Sequence, residues 1–225
     1  MQQNLVNLLH FFLNLKKKKQ MGFYWIKTNL IIKKLFSKYI WDIPNSENTI
    51  YLTFDDGPTP VITKWVLDTL KKHSIKATFF CIGKNIQSNP DLFKQAISEG
   101  HSIGNHTFNH LNGWKNTTDI YMNDIALCND AISRLHKEKV VLFRPPYGKI
   151  KRAQSKMLKS QGYKIIMWDV LSADFDQSIT KEKCLENVIL NIKSGSIIVF
   201  HDSVKAFQNL EYVLPKVLDY INEKK

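Results

Sequence analysis

The side chains able to do chemistry fall into a few short groups. Asp55 and Asp56 are adjacent carboxylates. His106 and His110 are four residues apart. Arg144 opens Arg-Pro-Pro-Tyr-Gly, Asp169 and Asp174 lie five residues apart, and His201 precedes Asp202. One carboxylate with two imidazoles is a three-donor set of the kind that holds Zn2+ and leaves a coordination position open for water and a substrate oxygen. The second carboxylate is then free to act as a base, and the distant histidine as an acid. His106 and His110 face the same way if their segment is helical. The chain draws nearly all its positive charge from lysine, with arginine only at Arg134, Arg144 and Arg152. An arginine fork can set two donors on a carboxylate, which lysine cannot. Singly, each group has a plain reading: Asp-Gly-Pro is turn chemistry, and a histidine pair is common. Jointly they describe a hydrolytic centre.

The elements that must position these groups are legible as a rhythm. Short apolar runs occur at 50–54, 75–82, 101–104, 140–143, 164–168 and 196–200. Segments of helical period lie at 62–73, 90–99, 117–136, 151–161, 180–193 and 208–222. Thr117 or Thr118 can cap one helix start, and Gly100, Gly162 and Gly195 stand where three helices should stop. Strand–helix alternation predicts an α/β fold with a parallel sheet, open or closed into a barrel. Function in such folds gathers at the carboxyl ends of the strands, and five of the six runs end in the groups named above. His201, following a wholly apolar run, is expected to be a half-buried titratable group.

The motifs TFDDGP (53–58), HTFNH (106–110), RPPYG (144–148), WDVLSADF (168–175) and IIVFHD (197–202), in this order, resemble those of the polysaccharide deacetylase family (carbohydrate esterase family 4) over roughly residues 48–224. The resemblance implies an α/β fold, a distorted (β/α) barrel with about seven parallel strands. It implies a metal-dependent hydrolase that removes acetyl groups, N-acetyl rather than O-acetyl, from a polysaccharide or oligosaccharide. By the same resemblance Asp55 is the base and Asp56, His106 and His110 are the ligands of one divalent ion, Zn2+ by preference. Arg144 holds the base, and Tyr147 supplies a backbone N–H to an oxyanion hole. His201 is the acid, with Asp174 as its orienting carboxylate, and a metal-activated water is the nucleophile. Trp114 and Tyr147 are placed to stack on sugar rings. The fourth motif departs from the family's Asp-x-x-Asp-Trp: Leu171 replaces the first aspartate and Phe175 the tryptophan. Two rival readings are a catalytically inactive glycan-binding homologue and a metal hydrolase of a small amide.

Composition bounds the rest. A chain of 225 residues with 44% hydrophobic and 23% charged residues suits one folded domain. The expected division is an N-terminal extension at 1–47, partly helical at 24–37, and a catalytic domain at 48–225. A net charge of +12 favours anionic partners such as an acidic wall polymer, while no motif supports nucleic-acid binding. Cys81, Cys128 and Cys184 are too few and too far apart for a disulfide framework and read as buried thiols. Residues 4–15 are apolar but short, carry Asn and His, and precede four lysines at 16–19. That order is neither a signal peptide nor a membrane span. Translation starting at Met21 is the preferred reading, and a peripheral membrane anchor in residues 1–20 the alternative. The location expected is cytoplasmic or membrane-associated by sequence and envelope by substrate; a monomer acting on an acetylated, peptidoglycan-like or chitin-like glycan is expected.

Overall fold

The computed structural model describes residues 24–223; the readings made for residues 1–20 lie outside them. Seven strands form one parallel sheet: β1 (Tyr51–Asp55), β2 (Thr78–Cys81), β3 (Ser102–Asn105), β4 (Leu142–Phe143), β5 (Lys164–Ile165), β6 (Val170–Leu171) and β7 (Ile197–His201). Their spatial order is β5-β4-β3-β2-β1-β7-β6. The helices are α1 (Leu30–Leu35), α2 (Ile62–Lys72), α3 (Gly83–Ser88), α4 (Pro90–Ser98), α5 (Thr118–Ser133), α6 (Arg152–Ser160), α7 (Lys181–Ile189) and α8 (Phe207–Glu223). Among the described residues, no helix is long and apolar enough to cross a membrane.

Chain connectivity dictates curvature. The edge strands β5 and β6 are joined only by residues 166–169. Five Cα steps span at most about 18 Å. A flat seven-stranded sheet would hold its edges about 29 Å apart, at about 4.8 Å per strand pair. The sheet therefore curls into a half-barrel, a choice the alternation left open and the resemblance implied. The central strands β1 and β7 are buried along most of their length, as parallel strands under helices must be. The interior of β7 is wholly apolar, while that of β1 carries one polar residue, Thr53. Phe54 of β1 stacks between Phe79 and Phe200 of its neighbours. The amphipathic α2, α7 and α8 cover that layer with Val66, Leu67, Leu70, Val188, Val213, Leu214 and Val217.

Most helix signals hold: Thr117 caps α5 by accepting from Ile120 N, and Gly100 and Gly162 follow the caps of α4 and α6 with positive φ. Gly195 also has positive φ but does not stop α7, which ends at Ile189 with Leu190 as its cap. The three cysteines are buried and unpaired. Two short elements escape the rhythm, β6 of two residues and the polar α3.

The segment at 24–37 is not one helix. Only Leu30–Leu35 is helical, capped by Asn29. Residues 26–28 are extended because their backbone groups are taken by the edge of the sheet: Leu171 N donates to Ile26 O, and Thr28 N to Asp169 O. Further on, Met167 N donates to Ile40 O and Ile40 N to Ile165 O. Residues 24–42 thus form a strap across the open side of the half-barrel. Its Lys27 and Lys33 both pair with Asp169, whose side chain is fully buried and also accepts from Ser196 Oγ.

Candidate active site

Register places the chemistry. Asp55 ends β1 and is the direct partner of His201 at the end of β7. Asn105, the last residue of β3, leads into His106; Phe143 of β4 leads into Arg144. The eight residues given roles from the sequence gather at this one end of the sheet; Asp169, also singled out, does not, because Lys27, Lys33 and Ser196 hold it at the amino end of β7.

Asp55 and Arg144 form a buried pair. Arg144 is fully buried and donates from one terminal nitrogen to Asp55 Oδ1 at 2.7 Å and to Thr53 Oγ1 at 2.7 Å. Its other terminal nitrogen reaches Met167 O at 2.9 Å and its Nε reaches Ile166 O, while Phe80 lies under the guanidinium at 4.2 Å. The expected double-donor fork on the carboxylate is thus absent. The donors are spread over one carboxylate, one hydroxyl and two carbonyls. Burial pushes the Asp55 carboxyl up, but Arg144, with His106 and His201, overrides it and holds Asp55 below the usual carboxylate range.

The next residue, Asp56, has a positive φ of 84°, a strained backbone for a residue with a side chain. Three contacts impose it: Asn85 Nδ2 on Asp56 O, Ile82 N on Gly57 O, and Gly57 N on Asp202 Oδ1. Asp202 is fully buried and also accepts from Thr63 Oγ1. A Cβ on Gly57 would stand 1.9 Å from Asp202 Oδ2, so only glycine fits there. Burial, with Asp56 nearby, raises the Asp202 carboxyl to about 8. Sequence reasoning noticed Asp202 and gave it no role; its direct attachment to His201 was the only signal.

His106 and His110 do not lie on a helix. Residues 106–110 form a loop with positive φ at Thr107 and His110. Asp124 of α5 holds it by accepting from Phe108 N and Asn109 N, and Asn105 Oδ1 accepts from Thr107 N. The two rings converge all the same, with centroids 5.1 Å apart. His106 Nδ1 bonds Arg144 O at 2.7 Å, which turns Nε2 toward Asp56 Oδ1 at 3.7 Å; His110 Nε2 lies 3.3 Å from the same oxygen. Ligand atoms of the three residues lie within 4.8 Å of one another, a group able to hold a metal ion. Burial lowers His106, and burial with its neighbour His106 lowers His110 to about 4, so both rings are neutral donors at physiological pH.

Across the cleft, His201 Nδ1 and its backbone N both bond Asp174, each at 2.7 Å. Burial alone would lower this imidazole, but Asp174 outweighs it and raises it to about 9. Tyr147, at φ 60°, packs its ring 4.6 Å from that of His110 and is 60% exposed. Trp114 is exposed on the same rim, its indole N–H bonded to Ile150 O and Lys149 Nζ 4.0 Å over its ring. A cleft of about 380 Å³, lined by Asp56, Pro58, Asn85, His110 and Val204 among others, opens from this centre.

An α/β half-barrel that gathers carboxylates, imidazoles and an arginine at the carboxyl strand ends has the architecture of a barrel enzyme. The family model for polysaccharide deacetylase matches residues 42–166. A peptidoglycan-N-acetylglucosamine deacetylase of Bacillus cereus is 38% identical over 185 residues, which cover 82% of this chain and 86% of that protein. The crystal structure of a peptidoglycan N-acetylglucosamine deacetylase superposes with a TM-score of 0.80 at 33% identity, covering 88% of this chain and 92% of the other. A mutant of a carbohydrate esterase family 4 pseudoenzyme with restored enzymatic activity superposes at 0.73 with 25% identity, covering 82% and 66%. The chain belongs to the polysaccharide deacetylase family and is a hydrolase of that class.

Proposed function

We propose that this chain removes N-acetyl groups from a peptidoglycan-type glycan, with Zn2+ held by Asp56, His106 and His110. One observation carries the reading. A three-donor group stands beside an arginine-paired carboxylate, and a carboxylate-paired histidine faces both from the adjacent strand. One carboxylate and two neutral imidazoles fit zinc with a position left open. The bound ion would supply Lewis-acid polarisation and a more acidic water.

The chain's own residues supply the rest. Asp55, kept ionised by Arg144, takes the proton from the attacking water. The Tyr147 backbone N–H, presented by the left-handed turn, donates to the developing oxyanion. His201, charged through its pairing with Asp174, gives a proton to the departing sugar nitrogen. Acid and base each contribute about 10²–10⁴-fold in such a scheme. Residues 48–225 form the catalytic unit, and the strap at 24–42 packs on it. The names of the two deacetylase relatives support an N-acetylglucosamine substrate, and the net charge of +12 suits an anionic wall polymer. Acetate release measured on peptidoglycan, chitin oligomers and acetylxylan tests the assignment. Release from peptidoglycan above the other two supports it, and release from acetylxylan alone contradicts it.

A further inference from the structure

The wall beside His201 is built partly from outside the strand-end motifs. Phe175 meets the His201 ring edge-on, with centroids 5.0 Å apart at 78°. Tyr24, at the start of the strap, meets Phe175 in the same manner at 5.5 Å and 69°. Tyr24 Oη donates at 2.5 Å to Asp176, the residue after Phe175. Burial and this carboxylate hold the phenol well above its ordinary range, so it stays a donor. Lys205 Nζ lies 5.3 Å over the Phe175 ring. The strap itself is pinned next to Tyr24 by the pairing of residues 26–28 with β6 and by Lys27 on buried Asp169.

A hydrogen bond to one ring nitrogen fixes where that nitrogen points. It leaves the tilt of the imidazole about that bond open, and edge contacts set the tilt. His201 has Asp174 for the first task and Phe175 for the second. Phe175 stands where the resembling family carries tryptophan; a smaller ring needs backing to hold its place, and Tyr24 provides it.

We propose that Tyr24 is a positioning residue for the leaving-group acid: through Phe175 it holds the His201 ring at the tilt that faces the substrate. The inference rests on the reading of His201 as that acid. It makes the strap part of the catalytic apparatus, although Tyr24 lies outside the stretch matched by the family model.

The test compares two substrates in the zinc-loaded full chain. An N-acetyl sugar needs its amine protonated to leave, whereas the phenolate of an activated aryl acetate departs unaided. Tyr24→Ala is expected to lower kcat on the N-acetyl sugar about tenfold with KM nearly unchanged, and to leave kcat on the aryl acetate within about twofold. Tyr24→Phe, which keeps the ring, should restore most of the amide turnover. In a His201→Ala background, Tyr24→Ala should cost nothing further. Equal loss on both substrates, or amide turnover unchanged in a folded Tyr24→Ala, overturns the proposal. If Tyr24→Ala does not fold, Tyr24→Leu is read in the same way; failure of both to fold makes Tyr24 a structural brace and overturns it too. His201→Ala alone separates the two layers. If that variant loses both activities equally, the acid assignment itself fails. If it shows the split and Tyr24→Ala does not, only the role of Tyr24 fails.

Discussion

Arg144 and Asp55 form a buried pair that bears on stability and, in the proposed mechanism, on catalysis. Both are buried, and the arginine satisfies three further acceptors besides the carboxylate. Removing one partner of such a pair typically costs about 3–5 kcal/mol because the other is left charged and buried. Arg144→Ala is therefore expected to lower unfolding free energy by about that amount in denaturant titrations. Arg144→Lys should fold better than Arg144→Ala yet lose at least about tenfold in kcat, since one ammonium cannot reach all four acceptors. The pH profile follows from the opposite member of the site. In the proposed mechanism the acid form of His201 is the working form, and its pKa is raised from 6.5 to about 9. Activity should thus fall as pH rises, with a midpoint above 6.5 and no higher than about 9, because a bound cation opposes a second positive charge. His201→Ala should abolish that alkaline limb for an N-acetyl sugar. At this scale the convergence of the eight candidate residues was legible because residue type and strand-end position survive in the linear sequence, with Tyr147 and Asp174 given their roles through the family resemblance. The loop geometry of His106 and His110 was not. It depends on Asp124 and Asn105, and neither carries a metal-site signature.

The strap at 24–42 carries the element scale. Its partners are more than a hundred residues away: Lys27 with Asp169, Thr28 with Trp168 O, and Tyr24 with Asp176. A local apolar pattern cannot report such pairings, so the segment read as a helix. The same reason hid β6, which has two residues and is held by distant partners, β7 on one side and residues 26–28 on the other. The six longer runs were visible because parallel strands buried on both faces are continuously apolar. Burial pushes the Asp169 carboxyl up, but its hydrogen bonds from Lys27, Lys33 and Ser196 hold it below the ordinary value of 3.8. Its contribution to stability is therefore present above that value and is lost as pH falls through the folded one. Asp169→Ala leaves Lys33 nearly buried without its deepest partner and should destabilise the chain by about 3 kcal/mol in urea titrations. A change under about 0.5 kcal/mol would mean the strap does not depend on that anchor.

At the scale of the whole molecule, the half-barrel brings five strand ends to one cleft, and the residues that act there come from both halves of the chain. The family match stops at residue 166, while Asp174, in the loop after β6, and His201, at the end of β7, lie beyond it. The site is thus complete only when the sheet has curled and β7 lies against β1. Metal removal separates fold from function in this architecture. The three possible ligands lie at the strand-end loops and outside the apolar core, so a chelated protein should remain folded by circular dichroism. The central claim is that hydrolysis depends on one ion held by Asp56, His106 and His110. Its most direct test is acetate release from N-acetylated peptidoglycan by metal-free protein titrated with Zn2+. Release should be absent in chelator and should rise to a plateau at one equivalent. Full release by the metal-free protein would contradict the account.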